Sequence, residues 1–337
     1  MLLAAALASL LLSCAPAVDE QPVLRLSGAT MGTTFDIQLV APPDIVQENM
    51  LQNQVSKLLA SIENSMSTYR PDSELSRFNA QSGSDWFAVS AELCDVVAAA
   101  QGLSALTGGA FDITVGPLVN LWGFGPDLSV AKPPTAAQVA EYLRLTGNRH
   151  LRTDCSKPAL AKDLPQLYVD LSAYAKGYGV DRIAELLGET GVENYLVEIG
   201  GEIRVAGRNA KGRPWSIAIE APNRGERSVT RVIELSDTGM ATSGDYRNLF
   251  EYDGDYYAHI IDPRNGYPVS HSLAAVTVLS DSAALADAMA TALMVLGADD
   301  GLQLAERQNL AALFQLRTED DVQQRMSSRF AREVASL

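Results

Sequence analysis

The chain has 337 residues, 47% of them hydrophobic, and a formal charge of −15 at pH 7. That length and apolar content supply a sizeable core for one large domain or two intimate lobes and argue against a disordered chain. The acidic balance, with no Lys/Arg-rich run, excludes a general attraction to nucleic acid, so an anionic ligand needs a local correction by a metal, a helix N-terminus or a few cations.

Met1 to Ser13 carry no charge and read as the apolar core of a secretory signal, too short to remain as a permanent span. They end in Leu11-Leu12-Ser13-Cys14, which resembles a bacterial lipoprotein cleavage box, with Cys14 lipidated as the mature N-terminus. The expected organisation is a signal peptide over 1–13, a tether over 14–22, a folded domain over 23–317 and a polar tail over 318–337, helical and packed at the edge. Cys94 and Cys155 can pair in an oxidising compartment; their spacing has no metal-site pattern, and connectivity is not readable.

Phe35 to Leu39 alternates as a strand, and Leu51, Val55, Leu58, Leu59, Ile62 and Met66 mark a long amphipathic helix. Ser90 caps a helix over Ala91 to Leu106 that Gly108-Gly109 stops. Phe111 to Pro126 reads as a loop-rich, ligand-facing region without a regular element, and Thr135 caps a helix reaching about Leu145. From Tyr168 the pattern turns β-rich. Strands are expected near Leu167–Leu171, Tyr195–Ile199, Glu202–Ala206, Trp215–Ile219, Val232–Leu235, Tyr256–Ile261 and Ala274–Leu279. Two helices interrupt them, over Lys176–Glu189 and around Asp287. Hairpin spacings such as Ile199-Gly-Gly-Glu202 argue for antiparallel pairing and an α+β class.

The most informative segment runs from Ser280 to Leu296. Ser280 or Asp281 can cap it, Gly297 can end it, and Leu285, Met289, Leu293 and Leu296 form an apolar stripe. Asp287 is a carboxylate inside this apolar helix, with Thr291 one turn on. Oxygens at that spacing lie roughly 5 to 6 Å apart at Cβ and suit a hard cation such as Mg²⁺. Taken alone, the segment is read instead as an Asp bonded to a backbone amide or an Arg, with Thr291 bonded to its own helix. Likewise Val169-Asp170 to Asp181 reads first as an ordinary strand-to-helix turn, although its free amides and Lys176 can receive a phosphate. His259 is a proton carrier or a strand-end histidine; His271 is a second candidate, and His150 looks like surface. The Tyr69 ring can stack on a flat ligand.

Eight pieces change these readings: Thr30-Met31-Gly32-Thr33, Met66 to Tyr69, Gly109 to Leu118, Val169 to Gly177, Glu198 to Glu202, Thr242 to Tyr246, His259 to Pro263 and Ala286 to Leu293. Together and in this order they resemble the ApbE family of FAD:protein FMN transferases. The resemblance implies a T-fold-like α+β architecture, mostly antiparallel sheets with packed helices and a ligand cleft between lobes. It implies that Met31, Tyr69, Ala110, Phe111, Asp112, Asp170 and Lys176 line an FAD pocket. Mg²⁺ falls to Asp287, Thr291 and the carbonyl of Ala173, and the catalytic roles to His259 and Asp287.

The implied reaction moves the FMN part of FAD onto a Thr or Ser hydroxyl of an acceptor protein and releases AMP. Implied partners carry a Ser/Thr-Gly-Ala-Thr/Ser sequence and belong to membrane electron-transfer complexes. The location implied is the periplasmic side of a membrane, by a lipid anchor, with the inner membrane favoured over the outer and the choice between them left open, and with no nucleic acid involved. The rivals are an Mg²⁺-dependent FAD pyrophosphatase and an FAD-binding lipoprotein without chemistry. Ser27-Gly-Ala-Thr30 has the acceptor pattern, but Leu24 stands where acceptors carry Asp, which argues against self-modification.

Overall fold

The computed structural model describes residues 20–126, 132–223, 225, 227–318 and 321–335. The signal segment, Cys14 and most of the tether lie outside the described residues. Eight strands form one antiparallel sheet in the order Val23–Thr30, Thr33–Val40, Tyr195–Ile199, Glu202–Ala206, Thr238–Gly244, Leu273–Ser280, Ala311–Arg317 and Val322–Met326. The sheet stays open, with Val23–Thr30 and Val322–Met326 at its ends. Alternation sets its faces: Phe35, Ile37 and Leu39 are buried while Asp36 and Gln38 are not.

Three helices, Glu48–Met66, Ala175–Glu189 and Ala283–Leu296, supply most of the helical packing around this sheet. The first follows its predicted stripe, burying Leu51, Val55, Leu59, Ile62 and Met66. A smaller lobe is built from helices Glu74–Ala80 and Ala91–Leu106 and a three-stranded sheet of Phe87–Ala88, Ala159–Lys162 and Leu151–Asp154. One cluster joins the lobes, with Leu93, Val97 and Phe111 packed in the same core as Ala288 and Ala292. Cys94 and Cys155 form a disulfide that ties the Ala91–Leu106 helix to the loop between two strands of that small sheet. No helix among the described residues is long and apolar enough to cross a membrane.

Several expected elements differ. Leu167–Leu171 is not a strand, because side chains take its backbone groups: Asn79 both donates to the Val169 carbonyl and accepts from its amide, each at 2.8 Å. Buried Lys162 donates to the Leu167 carbonyl at 3.1 Å. The Phe111–Pro126 region contains a helix, Gly116–Leu121, opened by Pro117 and anchored by buried Leu118. Ser282 rather than Ser280 or Asp281 caps the Asp287 helix, accepting from the Leu285 amide at 3.1 Å. That helix is buried almost all round rather than along one stripe. The expected Tyr256–Ile261 strand ends at Ala258. A further helix, Ala298–Arg307, precedes Ala311–Arg317, and beyond residue 317 the chain adds the last sheet strand and a helix, Ser328–Ala335, whose Phe330 is fully buried.

Candidate active site

A cavity of about 830 Å³ opens between the small lobe and the main sheet. Tyr69, Ala110, Phe111, Asp112 and Asp170 line one side. Ala173, Lys176, Asp287, Thr291 and His259 are among the residues that line the rest. Ten residues singled out from the sequence thus meet in one space. Met31 is the exception. Its backbone turns at φ 49°, its amide donates to Glu63 at 2.8 Å, and its side chain packs between two core clusters beside Gly179. A motif match fixes the residue's place in the chain but not the direction of its side chain.

The small-lobe wall is set by local bonds. Gly108 and Gly109 both have positive φ, turning the chain out of the Ala91–Leu106 helix so that Ala110 and Phe111 reach the cavity. The Asp112 carboxylate is already engaged: one oxygen accepts from the Thr114 amide and hydroxyl at 2.8 and 2.7 Å, the other from the Asn148 amide at 3.0 Å. Asp170 accepts from the Ser172 amide and hydroxyl with one oxygen. Tyr69 is 63% exposed at the rim, where its ring can stack on a planar ligand.

The opposite wall carries an ammonium set between two carboxyl groups. Asp287 is only 3% exposed and accepts from the Gly177 amide at 3.3 Å, while the Lys176 ammonium lies 3.5 Å from it and 3.0 Å from Glu202. Burial works against charge on Lys176, but Asp287 and Glu202 together outweigh it and raise its pKa. Burial pushes the Glu202 carboxyl up to about 8, with Lys176 opposing. The Thr291 hydroxyl lies 2.9 Å from that of Ser243.

Asp287, Thr291 and the main chain at Ala173 offer hard oxygen donors, the class that Mg²⁺ prefers. No cluster of three or more His, Cys, Asp or Glu capable of holding a metal exists among the described residues. A cation here would therefore rely on one carboxylate, joined by the neutral oxygens of Thr291 and Ala173. Glu202 Oε2 is buried without a hydrogen-bond partner, which leaves a spare oxygen beside the Lys176–Asp287 pair. The residues present fit the ion.

His259 sits at the end of the hairpin strand Asp255–Ala258. Its Nδ1 is 3.1 Å from the Asn248 carbonyl, which can only accept, so the proton is on Nδ1 and Nε2 keeps its lone pair. Burial and, less strongly, Lys176 push its pKa down. His271 instead faces the Met294 carbonyl at 2.8 Å and does not line the cavity. Sequence reasoning gave no role to Glu202 or to Asp181, which fixes the Asp287 helix from behind. Asp181 carried a readable signal: it is an acid on the buried face of its helix, alongside Gly177, Val180 and Ala184.

The sequence matches the model of the ApbE family over residues 31–314. A Vibrio cholerae protein called FAD:protein FMN transferase is 48% identical over 327 residues, 96% of this chain and 96% of its own. A Haemophilus influenzae protein of the same name is 46% identical over 324 residues, 95% and 94% of the two chains. The solved structure of the flavin transferase ApbE from Vibrio cholerae superposes with a TM-score of 0.87 at 47% identity, over 93% of this chain and 99% of that one.

Proposed function

The chain belongs to the ApbE family, and from that premise we propose that it is a Mg²⁺-dependent FAD:protein FMN transferase. One observation carries the reading: Asp287, Thr291, Lys176 and His259 line a single cavity with Tyr69 and the Ala110–Asp112 segment. FAD is the substrate. Its flavin lies toward Tyr69 and the small lobe, and its diphosphate toward Lys176 and Asp287.

The acceptor's Thr or Ser oxygen bonds to the phosphorus on the FMN side, and the bond from that phosphorus to the bridging oxygen breaks. AMP leaves with the bridging oxygen. His259 Nε2 takes the acceptor's proton, and its lowered pKa keeps it free to do so near neutrality. Lys176 faces the negative charge of the diphosphate. A bound Mg²⁺, held by Asp287, Thr291 and the Ala173 carbonyl, would supply further positive charge at the leaving side. Placement and charge neutralisation account for most of the acceleration in such transfers.

The acceptor is a polypeptide with a Ser/Thr-Gly-Ala-Thr/Ser sequence, in subunits of membrane electron-transfer complexes. The chain's own Thr30 is closed to transfer: it is buried in a strand with its hydroxyl donated to Glu63 at 2.8 Å. The Cys94–Cys155 disulfide supports an oxidising compartment, in keeping with export and anchoring through Cys14 on the periplasmic side of the inner membrane. Incubation with FAD, Mg²⁺ and an acceptor-motif peptide tests the reaction. Covalent flavin on the peptide with equimolar AMP is expected. Free FMN plus AMP in place of labelled peptide makes the chain a pyrophosphatase, and unchanged FAD makes it a carrier.

A further inference from the structure

Asp181 lies on the Ala175–Glu189 helix, is 8% exposed, and does not line the cavity. Its carboxylate nevertheless accepts four hydrogen bonds. Oδ1 accepts from the Ala283 amide at 2.9 Å and from Arg204 at 2.6 Å, and Oδ2 from the Ser282 hydroxyl at 2.7 Å and the Ala284 amide at 3.0 Å. Three of these donors form the start of the Ala283–Leu296 helix, where main-chain amides lack partners and the helix dipole favours negative charge. A carboxylate from one helix therefore caps another.

A second contact lies one turn away on both helices. Gly177, four residues before Asp181, donates its amide to Asp287, four residues after Ala283. A Cβ at Gly177 would lie 2.4 Å from the Ala283 carbonyl oxygen, so the helices touch at a distance only glycine permits. Ala173 and Lys176 precede Asp181 on one side of this junction, and Asp287 and Thr291 follow Ala283 on the other. The oxygen donors proposed for the cation thus come from two segments whose separation is fixed at that crossing.

We infer that Asp181 is a positioning residue for the cation site, setting the span between the Ala173 carbonyl and the Asp287–Thr291 pair by capping the helix that carries the pair. The inference rests on the cation reading proposed above. Mg²⁺ demands near-ideal octahedral geometry at short distances, whereas Ca²⁺ accepts longer and less regular coordination. A loosened span therefore penalises Mg²⁺ more than Ca²⁺. Groups that orient metal ligands from behind typically govern affinity by factors of ten or more.

The test uses the whole chain without FAD, titrating Mg²⁺ alone and Ca²⁺ alone and reading calorimetric binding and the rise in unfolding temperature. Asp181→Asn is expected to weaken Mg²⁺ on the order of tenfold and Ca²⁺ by less, narrowing the ratio between them. Ser282→Ala removes one bond to Asp181 and is expected to shift the ratio the same way by a smaller factor; it carries the test if Asp181→Asn does not fold. A wild type that responds to Mg²⁺, with variants that lose unfolding temperature but keep its Mg²⁺/Ca²⁺ ratio, overturns the role of Asp181 alone. A wild type that does not respond to Mg²⁺ overturns the cation reading and this inference with it.

Discussion

The helix carrying Asp287 is sealed into the core, whereas His259, on the same cavity, hangs from the end of an exposed hairpin. Eleven of the residues from Ala283 to Leu296 are buried, and the neighbouring helix approaches within the reach of a glycine. Among the described residues, the strands Leu249–Tyr252 and Asp255–Ala258 pair only with each other, and residues 251–256 are exposed. Ring contacts steady them: Phe250 on Tyr257 at 5.1 Å, Tyr257 on Trp122 at 5.5 Å and His259 on Phe124 at 6.3 Å. The difference follows the chemistry proposed for each side. Holding a small ion requires donors fixed within a fraction of an ångström, which packed helices provide. Meeting an incoming polypeptide requires a border with few buried contacts, and such borders open most easily.

The largest expected effect falls on the sealed side. Asp287→Ala removes the single carboxylate proposed for the cation and leaves Lys176 to Glu202 alone. Mg²⁺-dependent transfer should fall by at least 10²- to 10³-fold, on the order seen when one charge-stabilising group is lost. Persistence of transfer at ordinary Mg²⁺ levels would remove the metal assignment. On the open side, His259→Ala should lower turnover on the order of 10²-fold with FAD affinity unchanged. The pH profile sharpens this. Because the His259 pKa is pushed below its ordinary 6.5, the imidazole stays unprotonated down to that pH. The acid limb of wild-type turnover should therefore fall below pH 6.5 and vanish in the variant; a limb above pH 6.5 would assign the proton to another group.

Legibility in the sequence divided along similar lines. The Ala91–Leu106 helix was readable to the residue from Ser90 and the Gly108-Gly109 stop, and Tyr195–Ile199 with Glu202–Ala206 from alternation around two glycines. Short or edge strands carried too little pattern, so Val23–Thr30 and the Leu151–Asp154/Ala159–Lys162 hairpin were not seen. Leu167–Leu171 has strand-like residues, yet local pattern does not distinguish a ladder from backbone satisfied by Asn79 and Lys162. At the site, Asp287 stood out as an acid in an apolar helix, whereas Asp181, followed by Arg182 and Glu185 in a mixed helix, was given no role. Glu202 could not be found that way: its burial beside Lys176 arises only when a hairpin end meets a helix start distant in the chain. The direction of Met31 is likewise a tertiary fact.

Two smaller effects probe how sharply the sides differ. Gly177→Ala forces the Ala283 carbonyl away from a methyl 2.4 Å distant, an overpacking cost of about 1 to 3 kcal/mol. Its unfolding midpoint should drop in denaturant at unchanged slope, and an unchanged midpoint would mean the two helices slide freely. Tyr69 tests the rim. Its ring is 63% exposed, and its amide is bonded locally to the Ser67 hydroxyl at 3.1 Å, so the side chain contributes little to folding. Stacking on a flat ring system is worth about 1 kcal/mol, so Tyr69→Ala should weaken FAD roughly fivefold by fluorescence titration. Turnover at saturating FAD should stay at the wild-type level, because the ring binds ground and transition states alike. Tyr69→Trp should restore affinity. A loss of turnover at saturation would instead show that the rim aligns the diphosphate, and the division between a rigid ion-holding side and an open rim would no longer stand.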